Sequence, residues 1–330
     1  MWRARFASAW IDKDSMVSED AFFEVPLRRI AVGDIALAAR VAGQGPALLL
    51  LHGHPQTQAI WHRLWPALTR RFTCVAADLR GYGDSDKPAA SPDHGAHAKR
   101  VMAADMLALM QALGLPRFSV LAHDRGARVA HRLGLDHPEH VQRMMLLDIA
   151  PTLDMYEGTT RAFAQAYYHW FWLIQPAPLP ETMIARDPAF YVRGVMGGRP
   201  GGLAHFAPRA LAEYERCARL PGWATGVCED YRASATIDLE HDRASRQAGQ
   251  RLAMPLRVLW GERGAVGRNF DVLGLWRAVA AQVDGRAIDA AHYLPEEAPG
   301  AVLEEALAFL AGGQSPAADR AMQKGTQAGC

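Results

Sequence analysis

Five short apolar runs punctuate the chain, and most of them stop at a residue able to do chemistry. Ala47–Leu51 ends at His52-Gly53, Phe72–Ala77 at Asp78, Phe118–Ala122 at His123-Asp124, Met144–Leu147 at Asp148, and Leu256–Trp260 at Gly261. Runs this short, apolar at consecutive rather than alternate positions, predict strands buried on both faces. Stretches of helical periodicity, such as 99–113 and 302–310, lie between them. The alternation predicts an α/β fold with a mostly parallel sheet flanked by helices. Ligands of such sheets bind beyond the carboxyl ends of the strands. The polar residues at the run ends therefore mark a candidate site.

The alternation breaks after Pro151. Strand-like runs disappear, and aromatic residues such as Tyr156, Phe163, Tyr167, Trp170, Phe171, Tyr191, Trp223 and Tyr231 crowd a helix-like stretch. This predicts a helical cap over 151–245, inserted between two parts of the α/β core at 23–150 and 246–311. Most of these aromatics are expected to form the cap's own core. Residues 1–22 read as an N-terminal extension. Residues 312–330, small and polar, read as a disordered tail.

Composition narrows the functional classes. The 330 residues are 50% hydrophobic and 22% charged, as in an ordinary globular protein. Lys+Arg number 36 against 35 Asp+Glu, so no global basic excess points to nucleic acid. No apolar run is long enough to span a membrane. Four scattered cysteines without a C-x-x-C pair suit a reducing, cytoplasmic setting.

The strongest local signal is Ala122-His-Asp124-Arg-Gly126. Small residues two before and two after Asp124 match a strand-to-helix nucleophile elbow, with Asp in place of Ser. Asp124 would sit at a helix N-terminus, which favours its ionised form; taken alone it is equally a helix N-cap. His52-Gly53-His54 follows an earlier strand. The backbone N–H groups of His54 and Arg125 would then form an oxyanion hole. His52 and His54 lack a third clustered ligand, so no metal is expected. His292 lies before the last helix, in the hydrolase order nucleophile, acid, base. For the acid, Asp148 is preferred to Glu262, which is too close to its strand; Asp148 could also be a strand-end cap. The stretch 78–86 is read as a shaped loop, and Glu240-His241-Asp242 as surface or a cap contact.

Together HGHPQT at 52–57, DLRGYGDSDKP at 78–88, HDRGAR at 123–128, LDIAPT at 147–152, YHW at 168–170, QPAPLPE at 175–181, CEDYRA at 228–233 and HYLPEEAP at 292–299 resemble the α/β-hydrolase superfamily, and within it the fluoroacetate (haloacetate) dehalogenases, over roughly 23–311. The resemblance implies Asp124 as nucleophile, His292 as base and Asp148 as its partner. It implies Arg125 and Arg128 as a clamp for the substrate carboxylate, and His169, Trp170 and Tyr231 as the halide site. It implies no cofactor, a small haloacid and water as reactants, and a homodimer. His54 stands where the family often carries an aromatic residue. Independent physics agrees with an anionic substrate. A carboxylate attacking a haloacetate meets a repulsion of about 4 kcal/mol at 4 Å and an effective dielectric near 20, and two arginines three residues apart on a helix can compensate it. An epoxide hydrolase with the same Asp–His–Asp machinery is the alternative; a ligand receptor on the same fold is a third.

Overall fold

The computed structural model describes residues 20–311. One eight-stranded sheet organises them: β1 (Arg28–Val32), β2 (Ile35–Ala42), β3 (Ala47–Leu51), β4 (Thr73–Ala77), β5 (Phe118–His123), β6 (Val141–Leu147), β7 (Leu256–Gly261) and β8 (Val283–Ile288). Their order across the sheet is β1-β2-β4-β3-β5-β6-β7-β8. β3 to β8 are mutually parallel, while β2 runs antiparallel to both β1 and β4. Every residue of β3 and β5 is buried, which explains why these strands appear as unbroken apolar runs.

The five expected strands form. Three others carried no such signal. β2 is rich in alanine, a residue with little strand preference. β1 and β8 are edge strands, and each interleaves charged residues with apolar ones. At an edge one side of the strand faces solvent, so continuous apolarity is not required.

Between β6 and β7 the chain is helical, from Thr152–Glu157 to Ile237–Gln247. The cap aromatics divide: Phe163, Tyr167, Trp170, Tyr214, Trp223 and Tyr231 are buried, whereas Tyr168 is exposed. Part of the predicted extension belongs to the core: Ala21–Glu24 is a short helix, and Phe22 packs edge-on against Trp65 with ring centres 5.2 Å apart. Residues 1–19 of that extension, and the tail at 312–330, lie outside the described residues. Among the described residues no helix is long and apolar enough to cross a membrane.

Parallel strands place their carboxyl ends on one side. His52, Asp78, Asp124, Asp148 and Gly261 therefore gather at one edge of the sheet, joined by His292 after β8. The turn from β5 into helix Asp124–Asp136 passes close to the end of β3. Gly126 N–H donates to the His52 carbonyl at 2.8 Å. A Cβ on Gly126 would lie 2.4 Å from that oxygen, and one on Gly53 would lie 2.4 Å from the Asp124 Cβ. The helix can approach only because both positions lack a side chain.

Gly126→Ala should therefore force the helix start away from β3. We expect a stability loss of about 1–3 kcal/mol, typical of overpacking, read from the denaturant midpoint. A variant as stable as the wild type would show that this approach is not close-packed.

Candidate active site

Asp124 occupies the turn between β5 and its helix with φ +45°, and Asp148, just after β6, has φ +53°. Left-handed backbone is uncommon outside glycine and is often found at functional sites. The two strained aspartates flank His292. Its Nδ1–H donates to Asp148 Oδ2 at 2.6 Å, and its Nε2 lies 4.0 Å from Asp124 Oδ2. Asp148 Oδ1 accepts the Gly261 N–H at 2.9 Å, which fixes the acid across to β7. The rejected Glu262 is exposed.

Burial disfavours charge on both members of the His292–Asp148 pair, lowering the imidazole and raising the carboxyl. His292 is thus held neutral, with Nδ1–H given to Asp148 and the Nε2 lone pair facing Asp124. Burial alone would also raise Asp124. The charges of Arg125 and Arg128 oppose it, and that carboxyl is held ionised, well below the usual range.

Asp124 Oδ1 accepts the His54 backbone N–H at 2.9 Å. The structure thereby brings one expected oxyanion donor to the nucleophile, and Arg125 follows it in the first helical turn. The His54 side chain enters an aromatic wall. Its Nε2 is 2.9 Å from the Tyr191 hydroxyl, and its ring lies nearly parallel to that of His169, 6.2 Å away and inclined by 16°. His54 Nδ1 is buried without a partner. His52 is occupied elsewhere, with Nδ1–H on the Gly53 carbonyl and Nε2 accepting from Leu79 N–H.

The two arginines differ. Arg125 Nε and Nη2 donate to Asp230 Oδ2 and Oδ1, both at 2.8 Å, and Nη2 also reaches Ser234 Oγ. Asp230 further accepts from Tyr82 Oη at 2.7 Å and contacts Lys99 Nζ. The fork expected to grip a substrate is therefore spent on Asp230, and only Nη1 remains unpartnered. Arg128 meets neutral groups alone: the Ala150 carbonyl, Thr152 Oγ1 and Met155 Sδ. Its Nε is buried without a partner.

Each guanidinium stacks on an expected halide-site aromatic. Arg125 Cζ is 4.1 Å from the Tyr231 ring centre, and Arg128 Cζ is 4.6 Å from that of Trp170. His169 is 5.9 Å from Tyr231, centre to centre. Tyr231 Oη and Trp170 Nε1 are buried and unpartnered. The structure thus gathers all the residues named from the sequence.

It also shows residues that sequence reasoning missed. Glu297 accepts the N–H groups of Ala291, His292 and Tyr293 at 2.6, 2.9 and 2.8 Å, tying down the loop that carries His292. His123 Nε2–H donates to the His292 carbonyl at 2.8 Å. Asp230 was inside a noted motif, but its partners are more than 100 positions away. Arg199 carried no sequence signal. The loop reading of 78–86 holds: Asp78 accepts from Gln58 N–H and Asp84 N–H. Asp242 contacts Arg132.

Comparison with known proteins agrees with this geometry. The family model described as alpha/beta hydrolase fold matches residues 46–299. A fluoroacetate dehalogenase from Burkholderia sp is 41% identical over 273 residues, covering 82% of this chain and 89% of its own. The chain belongs to the α/β hydrolases, in the haloacetate dehalogenase family. A soluble epoxide hydrolase from Corynebacterium sp. (strain C12) is 33% identical, with 82% of this chain and 92% of its own covered. The crystal structure of ALR0039 from Nostoc sp PCC 7120 superposes with a TM-score of 0.86 at 48% identity, covering 88% and 99% of the two chains.

Asp230→Asn would leave Arg125 and Lys99 buried against one fewer carboxylate. Breaking a buried pair in this way costs about 3–5 kcal/mol. The surrounding cations depress the Asp230 carboxyl. Its contribution is present above the unfolded carboxylate range and is lost as pH falls below it. Urea denaturation at pH 7 and pH 2.5 should show the larger deficit at pH 7, because the loss begins only below the unfolded carboxylate range. Equal deficits would mean that the charge on Asp230 is not what stabilises the fold.

Proposed function

We propose that this hydrolase removes halide from haloacetates, yielding glycolate through an ester on Asp124. The observation that carries the reading is a buried Arg128 guanidinium without a carboxylate partner, beside a nucleophilic carboxylate. A buried cation left so needs an anion to complete it. A substrate carboxylate supplies one, whereas an uncharged epoxide does not.

In the first step an Asp124 oxygen attacks the α-carbon; the new C–O bond forms as the carbon–halogen bond breaks, and the halide leaves with the bonding pair. Arg128 Nε–H and Arg125 Nη1–H receive the substrate carboxylate. Trp170 Nε1–H and Tyr231 Oη–H, with His169 beside them, receive charge that grows on the halogen only as the bond breaks. Donors of that kind lower the barrier rather than tighten ground-state binding. In the second step His292 Nε2 takes a proton from water, and the hydroxyl adds to the Asp124 carbonyl carbon. Asp148 holds the imidazole and stabilises its protonated form. The His54 and Arg125 N–H groups bear the oxyanion; as it collapses, the His292 imidazolium returns its proton to the departing glycolate oxygen, and the regenerated Asp124 acid releases the last proton to solvent.

The experiment separates the two steps. A carboxylate needs no base to attack, so His292→Asn should release about one halide per site from fluoroacetate or chloroacetate and then stall, because general-base assistance is worth about 10²–10⁴ in rate. Intact mass should rise by one glycolyl group, mapped to Asp124. Steady turnover, or an adduct elsewhere, would sink the mechanism. Turnover of an epoxide alone would favour the epoxide hydrolase reading.

Tyr231→Phe should slow fluoroacetate more than bromoacetate, since fluoride depends most on hydrogen bonding. Loss of one such donor costs about 10²–10³ in rate. Equal slowing of both in a halide-release assay would remove Tyr231 from the halide site.

A further inference from the structure

A third guanidinium reaches the catalytic centre. Arg199 lies in the cap loop after helix Pro188–Gly197. Its Cζ is 5.0 Å from the Tyr167 ring centre and 5.7 Å from that of Tyr293. Those two rings in turn flank His292, at 6.2 and 4.9 Å between ring centres. The charge is thus carried on aromatic faces, as cations commonly are. Arg199 Nε is buried and has no hydrogen-bond partner. Among the described residues no carboxylate forms an ion pair with Arg199. Its field therefore acts on the groups around it.

We propose that Arg199 is a positioning residue for the hydrolytic step: its guanidinium, held on the Tyr167 and Tyr293 faces that flank His292, adds to burial in favouring the neutral imidazole that accepts a proton from water. The inference rests on His292 being the base. The other groups facing His292 are Asp148 from the end of β6, His123, Asp124 and Arg128 from β5 and its helix, Tyr167 and His169 from the cap, and Tyr293 and Glu297 from its own loop. Of these, Asp148, Asp124 and Glu297 favour imidazolium; Arg128 opposes it. Arg199 adds the second opposing charge. After burial, it is the largest influence holding His292 down.

The sign of the effect is fixed. Arg199→Gln or Arg199→Ala removes a positive charge while the three carboxylates remain, so the His292 titration should move to higher pH by about one unit or more. Arg199→Lys keeps the charge and should restore the wild-type position. The direct measurement is nuclear magnetic resonance titration of histidine-labelled protein, with the His292 signal assigned by its loss in His292→Asn. A role for Arg199 in packing alone would not move that signal and would not distinguish Lys from Gln. Single-turnover hydrolysis of the Asp124 ester gives a second readout, whose acid limb should shift upward in Gln and Ala and return in Lys. An unmoved His292 titration in a folded charge-removal variant overturns the proposal. The titration needs no substrate, so it decides the matter even where haloacetate turnover fails. That failure would count against the proposed substrate alone.

Discussion

A carboxylate out of water is the constraint around which this site is arranged. Asp124 is 4% exposed, and removing such a group from solvent costs several kcal/mol unless something offsets it. The usual remedy is a direct ion pair, but an arginine on both oxygens would also occupy the lone pairs needed for attack. Here the offset comes from the surroundings. One oxygen takes a single backbone N–H from His54. The helix N-terminus and the Arg125 and Arg128 charges supply the rest as a field. Asp124 stays ionised and keeps one oxygen unbonded. Its left-handed backbone is part of the same solution, because that turn aims the carboxylate beyond the sheet edge rather than along the helix.

Supplying positive field to a buried site raises a second problem, since the cations are themselves buried. The chain answers it differently for each. Arg125 is paired with Asp230, and Lys99 joins the pair together with Asp238. Two positive and two negative charges close that network, leaving Arg125 one outward N–H. Arg128 is hydrogen-bonded by a carbonyl, a hydroxyl and a sulfur, backed by the Trp170 face. Those groups orient it without cancelling its charge. The two arginines look equivalent in the sequence but are held differently: one by a closed ion-pair network, the other by neutral groups, and both act on Asp124.

Much of this was legible from residue order. The five central strands announced themselves because burial on both faces demands continuous apolarity. The residues at their ends followed from where a parallel sheet places its carboxyl termini. Asp124, Asp148 and His292 could be expected together because an elbow needs small neighbours and a hydrolase keeps its chain order, and the fold brings them side by side. What could not be read were contacts set by tertiary approach. Asp230 meets Arg125 across 105 positions, and Glu297 caps the His292 loop through three backbone N–H groups that no residue pattern displays. Edge strands were missed for a related reason: their exposure relaxes the pattern that makes a strand visible.

The Asp230–Arg125 pair also joins two layers of the molecule. Asp230 belongs to a cap helix, Trp223–Ala235, and Arg125 to the core helix behind the nucleophile. Tyr82 and Lys99, both from the core, bind the same carboxylate. The docking of the cap and the orientation of Arg125 are therefore one interaction. A shift of the cap large enough to admit a bulkier substrate would loosen Arg125 and expose a balanced charge cluster to partial burial, which is costly. Selectivity is better varied at side chains that line the pocket without joining the network. His54 and Tyr191 are such residues: they bond each other, and His54 Nδ1 remains free beneath the aromatic wall. A substitution of the His54 ring leaves its backbone N–H on Asp124, and Asp124, His292 and the cap, where they are.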